Sequence, residues 1–65
     1  MPLTLDANLP DPDGFYDEFL ALHEGLSEPE SAALNTRLIL ILANHIGDRS
    51  VLREAFDAAR KSASN

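Results

Sequence analysis

The sequence predicts an all-α domain, in which a helical hairpin and a third short helix follow an extended N-terminal lead. Apolar residues recur at intervals of three and four along most of the chain, the spacing of one face of a helix. Gly25 and Gly47 stand where such patterns end, and a capping sequence begins at Ser27. With 65 residues, the chain is expected to form a single domain.

The first predicted helix follows a lead formed by residues 1–12, which contain three prolines. The helix is expected from about Asp13 to Glu24, with Asp11 or Asp13 as its cap. Gly25 is placed to end it in the left-handed conformation. The apolar face of this helix is formed by Phe15, Phe19 and Leu22.

The second predicted helix has the clearest start. Residues 27–30 read Ser-Glu-Pro-Glu, a capping box, and the helix is expected to run to Ile46 with Gly47 as its stop. Residues 38–42 could also be read as a buried strand, but good helix formers flank them and one pair of start and stop signals brackets them. One face of the helix is formed by Leu34, Leu38, Ile41, Leu42 and His45.

The third predicted helix runs from about Arg49 to Lys61, capped by Asp48 or Ser50, and residues 62–65 are expected to fray. Residues 13–61 thus form the predicted three-helix domain. Short connections favour antiparallel neighbours, hence the hairpin. The apolar face of the third helix is formed by Val51, Leu52, Ala55, Phe56 and Ala59.

Charge is divided unequally along the chain, whose formal net charge is −6. Residues 1–30 hold eight acidic residues and no basic one, whereas residues 31–65 hold three acidic and all five basic residues. So few bases make the chain a poor ligand for nucleic acid, because basic contacts to phosphate supply most of that affinity. We interpret the acidic half as a solvated surface. Mimicry of nucleic acid, or the masking of a basic protein surface, is the alternative.

Composition and motifs exclude several functional classes. The chain has no cysteine, which excludes a disulfide, a thiol nucleophile and a thiolate metal site. It has no phosphate loop, catalytic triad pattern or cofactor motif, so we expect no enzyme, catalytic residue, metal or cofactor. The apolar run from Leu38 to Ala43 is too short to cross a bilayer, and no signal peptide is recognisable. We therefore expect a soluble cytoplasmic protein.

The middle of the second helix is apolar almost all round, which is typical of a helix buried on every side. Two short helices and a proline-rich lead are expected to leave part of it uncovered. The surplus predicts an interface with another protein chain, and a homodimer is the expected assembly. The predicted interface residues are Leu38, Ile39, Leu40, Ala43 and Ile46. Alternatively, the face is covered within the monomer by Leu3, Leu5 and Leu9.

A competing hypothesis places a ligand or metal site on polar residues at the helix ends. Its candidate residues are His23, Arg37, Asn44, His45 and Asp48. If the first two helices pair antiparallel, His23 and His45 could converge, and two histidines with a carboxylate can bind zinc or iron. The simpler interpretation makes His45 a core residue and lets His23 complement the helix dipole. Arg37 is expected to form an ion pair with an acidic residue of the first helix, such as Asp17 or Glu24, or with a partner chain.

Three segments carry a family resemblance: Leu-His-Glu-Gly-Leu-Ser at 22–27, Ala-Leu-Asn-Thr-Arg-Leu at 33–38 and Leu-Ala-Asn-His-Ile-Gly-Asp at 42–48. Together they resemble the signature of a small bacterial family of unknown function, whose members are short helical proteins of about this length. The resemblance covers roughly residues 15–60. It implies no established activity. It does imply an accessory role, because genes of the family often lie beside those of flavin-dependent oxidoreductases of aromatic breakdown.

The sequence therefore favours a small non-catalytic interaction module. Such a module would self-associate or act as the accessory subunit of an enzyme, and a flavin-dependent oxidoreductase is the candidate that the resemblance implies. The site for a small ligand or metal remains the alternative.

Overall fold

The protein consists of three α-helices, α1 (Pro12–Leu22), α2 (Glu28–Ile46) and α3 (Arg49–Ala63), in a computed structural model that describes residues 2–63. No strand forms within that range, and residues 38–42 are helical. The prediction of an all-α fold with three helices behind an extended lead is confirmed.

α1 begins one residue earlier than predicted and ends two residues earlier. Asp11 is its cap: the side-chain oxygen accepts a hydrogen bond from the Gly14 N–H at 3.1 Å. A Cβ at Gly14 would lie closer than van der Waals contact to the Asp11 carboxylate, so a larger residue here would force that carboxylate to move. Past the end of α1, Gly25 adopts the predicted left-handed conformation, with φ at 78°.

α2 has the predicted bounds, and its capping box is complete. The Ser27 N–H donates to Glu30 Oε1 at 2.9 Å, and the Ser27 hydroxyl accepts from the Glu30 N–H at 3.3 Å. The first of these bonds is the main reason why the pKa of the Glu30 carboxyl lies below its usual value. At the other end, Gly47 is left-handed (φ 67°) and its N–H donates to the Ala43 carbonyl at 2.9 Å.

α3 is capped by Asp48. One oxygen of this carboxylate accepts hydrogen bonds from the Ser50 hydroxyl at 2.6 Å, the Ser50 N–H at 2.9 Å and the Val51 N–H at 3.3 Å. The hydroxyl contributes most to holding the pKa of Asp48 below its usual value. The helix continues to Ala63, two residues past the predicted end at Lys61; residues 64 and 65 of the predicted frayed tail lie outside the described range.

The three helices bury almost nothing against one another. Val51, with 4% of its surface exposed, is the one buried side chain among residues 2–63, and no two helices pack side by side along their lengths. The radius of gyration is 13.5 Å, whereas a compact chain of this length has about 11 Å. The helices are therefore formed and capped locally, and residues 2–63 form no substantial core of their own.

The lack of packing between the helices is also visible in the total exposed area of the chain. The chain exposes 5795 Å², whereas a compact monomer of its mass exposes about 4,100 Å². The surplus is thus about 1,700 Å² per chain. Much of it is apolar, because thirteen large hydrophobic residues in the range 2–63 are exposed.

The N-terminal lead lies along α3 and does not cover α2. Leu3 is half-buried and, with Leu5, borders a shallow depression whose other residues belong to α3. Leu5 and Leu9 remain exposed, and so does Leu40 of α2. The alternative in which these leucines cover α2 is therefore wrong for the single chain.

Candidate functional site

The most unusual surface of the molecule is the second half of α2. Ile39, Leu40, Ile41 and Leu42 are consecutive, and each is more than half exposed. Successive residues of an α-helix point about 100° apart, so four exposed residues in a row mean that residues 2–63 bury no side of α2 along this segment. We call residues 39–42 the exposed apolar segment.

The predicted interface residues divide into two groups. Ile39, Leu40 and Ile46 are exposed, whereas Leu38 and Ala43 are half-buried by their own chain. Two residues that the sequence placed on the inward face, Ile41 and Leu42, belong instead to the exposed surface. Helical spacing shows which residues share a face, but it cannot show whether a neighbouring helix covers that face.

A groove of about 530 Å³ opens beside the exposed apolar segment. Its floor is apolar, and its charged lining residues are Glu30 and Arg37. The ion pair expected between Arg37 and Asp17 or Glu24 does not form in the described part of the chain. The lining residues are Leu22, Leu26, Glu30, Ala33, Leu34, Arg37, Leu38 and Ile41.

His23 joins the end of α1 to α2. Its Nδ1 lies 2.8 Å from the Phe19 carbonyl oxygen, and its Nε2 lies 2.7 Å from Asn35 Oδ1. The ring also contacts the Phe19 ring, with 4.6 Å between centroids. Two acceptors face the two ring nitrogens, so the imidazolium, which donates from both, is favoured. The pKa of His23 is accordingly raised, mainly by the Phe19 carbonyl and then by Asn35.

The two histidines do not converge. His23 is hydrogen-bonded to Asn35 of α2, and His45 lies ten residues beyond Asn35 along α2. Ten residues of α-helix correspond to a rise of about 15 Å. His45 is exposed, so the interpretation as a core histidine is wrong, because no helix packs on that part of α2.

The other predicted ligand residues are also separate from His23. Asn44 is exposed on α2, and Asp48 is engaged in capping α3. Among residues 2–63, no three His, Cys, Asp or Glu side chains stand close enough to hold a metal ion. Among the described residues, the geometry therefore does not assemble the predicted two-histidine metal site.

No helix in the described range is both long and apolar enough to span a membrane. A family model described as a protein of unknown function, DUF2783, matches residues 3–61. The match starts within the N-terminal lead, about twelve residues before the span of residues 15–60 that the resemblance covers. Comparisons with curated proteins and with solved structures find no similar protein.

Proposed function

Since this chain belongs to DUF2783, a family of proteins of unknown function that supplies no activity, we propose from its surface that it is a non-catalytic helical module that self-associates as a homodimer. The observation that carries the proposal is the exposed apolar segment of α2. A helix that is apolar all round is stable when it is covered on every side. A second copy supplies the cover that α1, α3 and the lead do not.

The surplus area has the size that a permanent dimer needs. Obligate homodimers bury about 2,000–5,000 Å² in total, which is roughly 1,000–2,500 Å² per chain. The surplus of about 1,700 Å² per chain lies within that range. Association would thus bring each copy to the exposed area of a compact protein of its mass.

A two-fold axis suits this surface, because in a two-fold dimer the exposed apolar segment of one copy faces the same segment of the other. Leu40 lies at the middle of the patch with 64% of its surface exposed, and the groove beside Ile41 offers a recess for apolar side chains of the partner copy. The central apolar contact and the neighbouring groove resemble a protein core cut in half, as is usual for obligate interfaces.

The same surface could instead receive a different chain, and the accessory subunit of an enzyme remains the second form of this proposal. The family resemblance makes a flavin-dependent oxidoreductase the candidate. We place the module in the bacterial cytoplasm, in keeping with the resemblance and with a cysteine-free composition that fits a reducing compartment. The polar residues are weaker candidates for function, because His23 and Asp48 already have hydrogen-bond partners.

The test is the solution mass measured by light scattering across a dilution series. We expect a dimer for the wild-type chain and separation of that dimer by Leu40→Glu. Leu5→Glu is the matched control, because Leu5 is equally apolar and even more exposed, at 77%, but lies in the lead. A wild-type monomer at every concentration, or a Leu40→Glu variant that stays dimeric, would contradict the proposal.

A milder variant protects this test against loss of folding. Burying a leucine side chain contributes about 2 kcal/mol, and 64% of Leu40 remains to be covered. In a two-fold dimer this burial energy is lost in both copies. Leu40→Ala should therefore raise the dissociation constant roughly ten- to hundredfold. Far-UV circular dichroism at a concentration above that constant should still show the helices.

A further inference from the structure

α1 and α3 carry matching patterns of opposite charge. In α1, Asp13, Tyr16, Asp17 and Leu20 follow the order charge, apolar, charge, apolar at successive intervals of three, one and three residues. In α3, Arg49, Leu52, Arg53 and Phe56 repeat the same order at the same intervals. We call these sets the acidic stripe and the basic stripe. At intervals of three and four, the members of each set lie along one side of their helix.

Both stripes are exposed. All four residues of the acidic stripe are exposed, and in the basic stripe only Leu52 is half-buried. The arginines and Phe56, which is 60% exposed, lie on the side of α3 away from Val51. The basic stripe is therefore not the side that α3 turns toward its own chain.

The stripes do not pair within one copy. None of Asp13, Asp17, Arg49 and Arg53 forms an ion pair in residues 2–63, and α1 and α3 do not pack side by side. Each copy thus presents a surface and the complement of that surface, at two separate places.

We propose that the acidic stripe of each copy docks on the basic stripe of a second copy, so that two such contacts flank the apolar interface of the homodimer. Aligned in register, the stripes set Asp13 against Arg49, Asp17 against Arg53 and Leu20 against Phe56. This inference rests on the proposed self-association. It adds a second, charged contact that selects the partner and the orientation.

A second copy is the occupant that the charge distribution favours. The N-terminal half of the chain is strongly acidic and the C-terminal half is basic overall. The acidic half of one copy is therefore attracted to the basic half of another. A two-fold axis satisfies both stripes of both copies at once. Apolar side chains between flanking ion pairs also give the contact a dry centre, which a purely charged surface lacks.

The decisive test mixes two charge-reversal variants. Asp17→Arg and Arg53→Glu each place like charges together at both contacts of their own homodimer. Exposed pairs are individually weak, but each reversal counts twice, so we expect a rise of roughly thirtyfold in each dissociation constant. In an equimolar mixture, the Asp17→Arg chain meets the Arg53→Glu chain with opposite charges at both contacts. The heterodimer should recover an affinity close to that of the wild type, measured by light scattering and native mass spectrometry.

Matched controls separate this effect from net charge. Glu18→Arg and Lys61→Glu make the same changes in charge on the same two helices, at exposed positions outside the stripes. We expect each control to associate nearly as the wild type does, and mixing the two to bring no recovery.

The outcomes distinguish this inference from the proposal on which it rests. If the wild type is dimeric and the two reversals leave the affinity unchanged, or mixing them restores nothing, the docking of the stripes is wrong and self-association through α2 stands. A further variant carries both Asp17→Arg and Arg53→Glu in one chain. If this double variant regains wild-type affinity but the mixture of single variants does not, the stripes pair within one copy, which also overturns the inference. A wild-type monomer at every concentration removes both proposals.

Discussion

If the chain folds as the proposed homodimer, its stability should depend on protein concentration, because within a single copy only one side chain among residues 2–63 is buried. If the folded dimer converts directly into two unfolded chains, each tenfold dilution lowers its stability by about 1.4 kcal/mol. A monomer that folds alone shows no such dependence. Dilution therefore tests whether folding depends on association without any change to the sequence.

The areas set the size of the expected shift. Two chains of 7.1 kDa, each brought to the area of a compact protein, expose about 12,000 Å² on unfolding. That is similar to the area exposed by a single domain of the dimer's mass, for which the dependence on urea is about 2 kcal/mol per molar. The urea midpoint should thus fall by roughly 0.7 M for each tenfold dilution.

The assay is urea unfolding followed by far-UV circular dichroism at two protein concentrations a decade apart. Leu40→Glu is the control, since a chain that no longer associates should lose both the concentration dependence and the sharpness of the transition. A wild-type transition that is sharp and has one midpoint at both concentrations would refute the reasoning, because it would demonstrate a stable folded monomer.

Two further predictions concern the ends of α1 and α2. Ser27→Ala removes the hydroxyl from the capping box and should cost about 1 kcal/mol per chain, measured as a lower urea midpoint at fixed concentration, whereas Ser27→Thr keeps the oxygen and should cost much less. The pKa of His23 is raised in the folded chain by the Phe19 carbonyl and by Asn35, so the stability it contributes is present below its unfolded pKa and is lost as the pH rises through the folded pKa. The thermal midpoint should fall as the pH rises above about 6.5, the ordinary pKa of histidine, and His23→Gln should remove most of that fall; an unchanged pH dependence in this variant would assign it to other groups.

The helix ends could be predicted because their chemistry is local. The capping box at Ser27 and Glu30 involves residues three apart, and Gly47 needs only its own conformation to end α2. Where several caps are possible, local sequence leaves a choice: Asp11 and Asp48 are the caps, and neither Asp13 nor Ser50 is. The end of α3 was less predictable, because no glycine or proline follows Lys61 to stop it.

The contacts between elements could not be predicted in the same way. His23 bonds to Asn35, which is twelve residues away, and no spacing in the sequence indicates that pair. Ile41 and His45 share a face with Leu34 and Leu38, yet only the last two are half-buried, since no described helix packs along the second half of α2. Periodicity describes a helix surface, whereas burial depends on what is packed against it.

The exposed apolar segment also has a consequence for the abundance of the protein. If the chain functions as the proposed homodimer, a newly made copy that has not yet paired displays residues 39–42 to the chaperones and proteases that recognise unpacked apolar chain. Copies should survive in proportion to how often they associate. The cellular level of the protein would then be set by the supply of its partner surface as much as by its rate of synthesis.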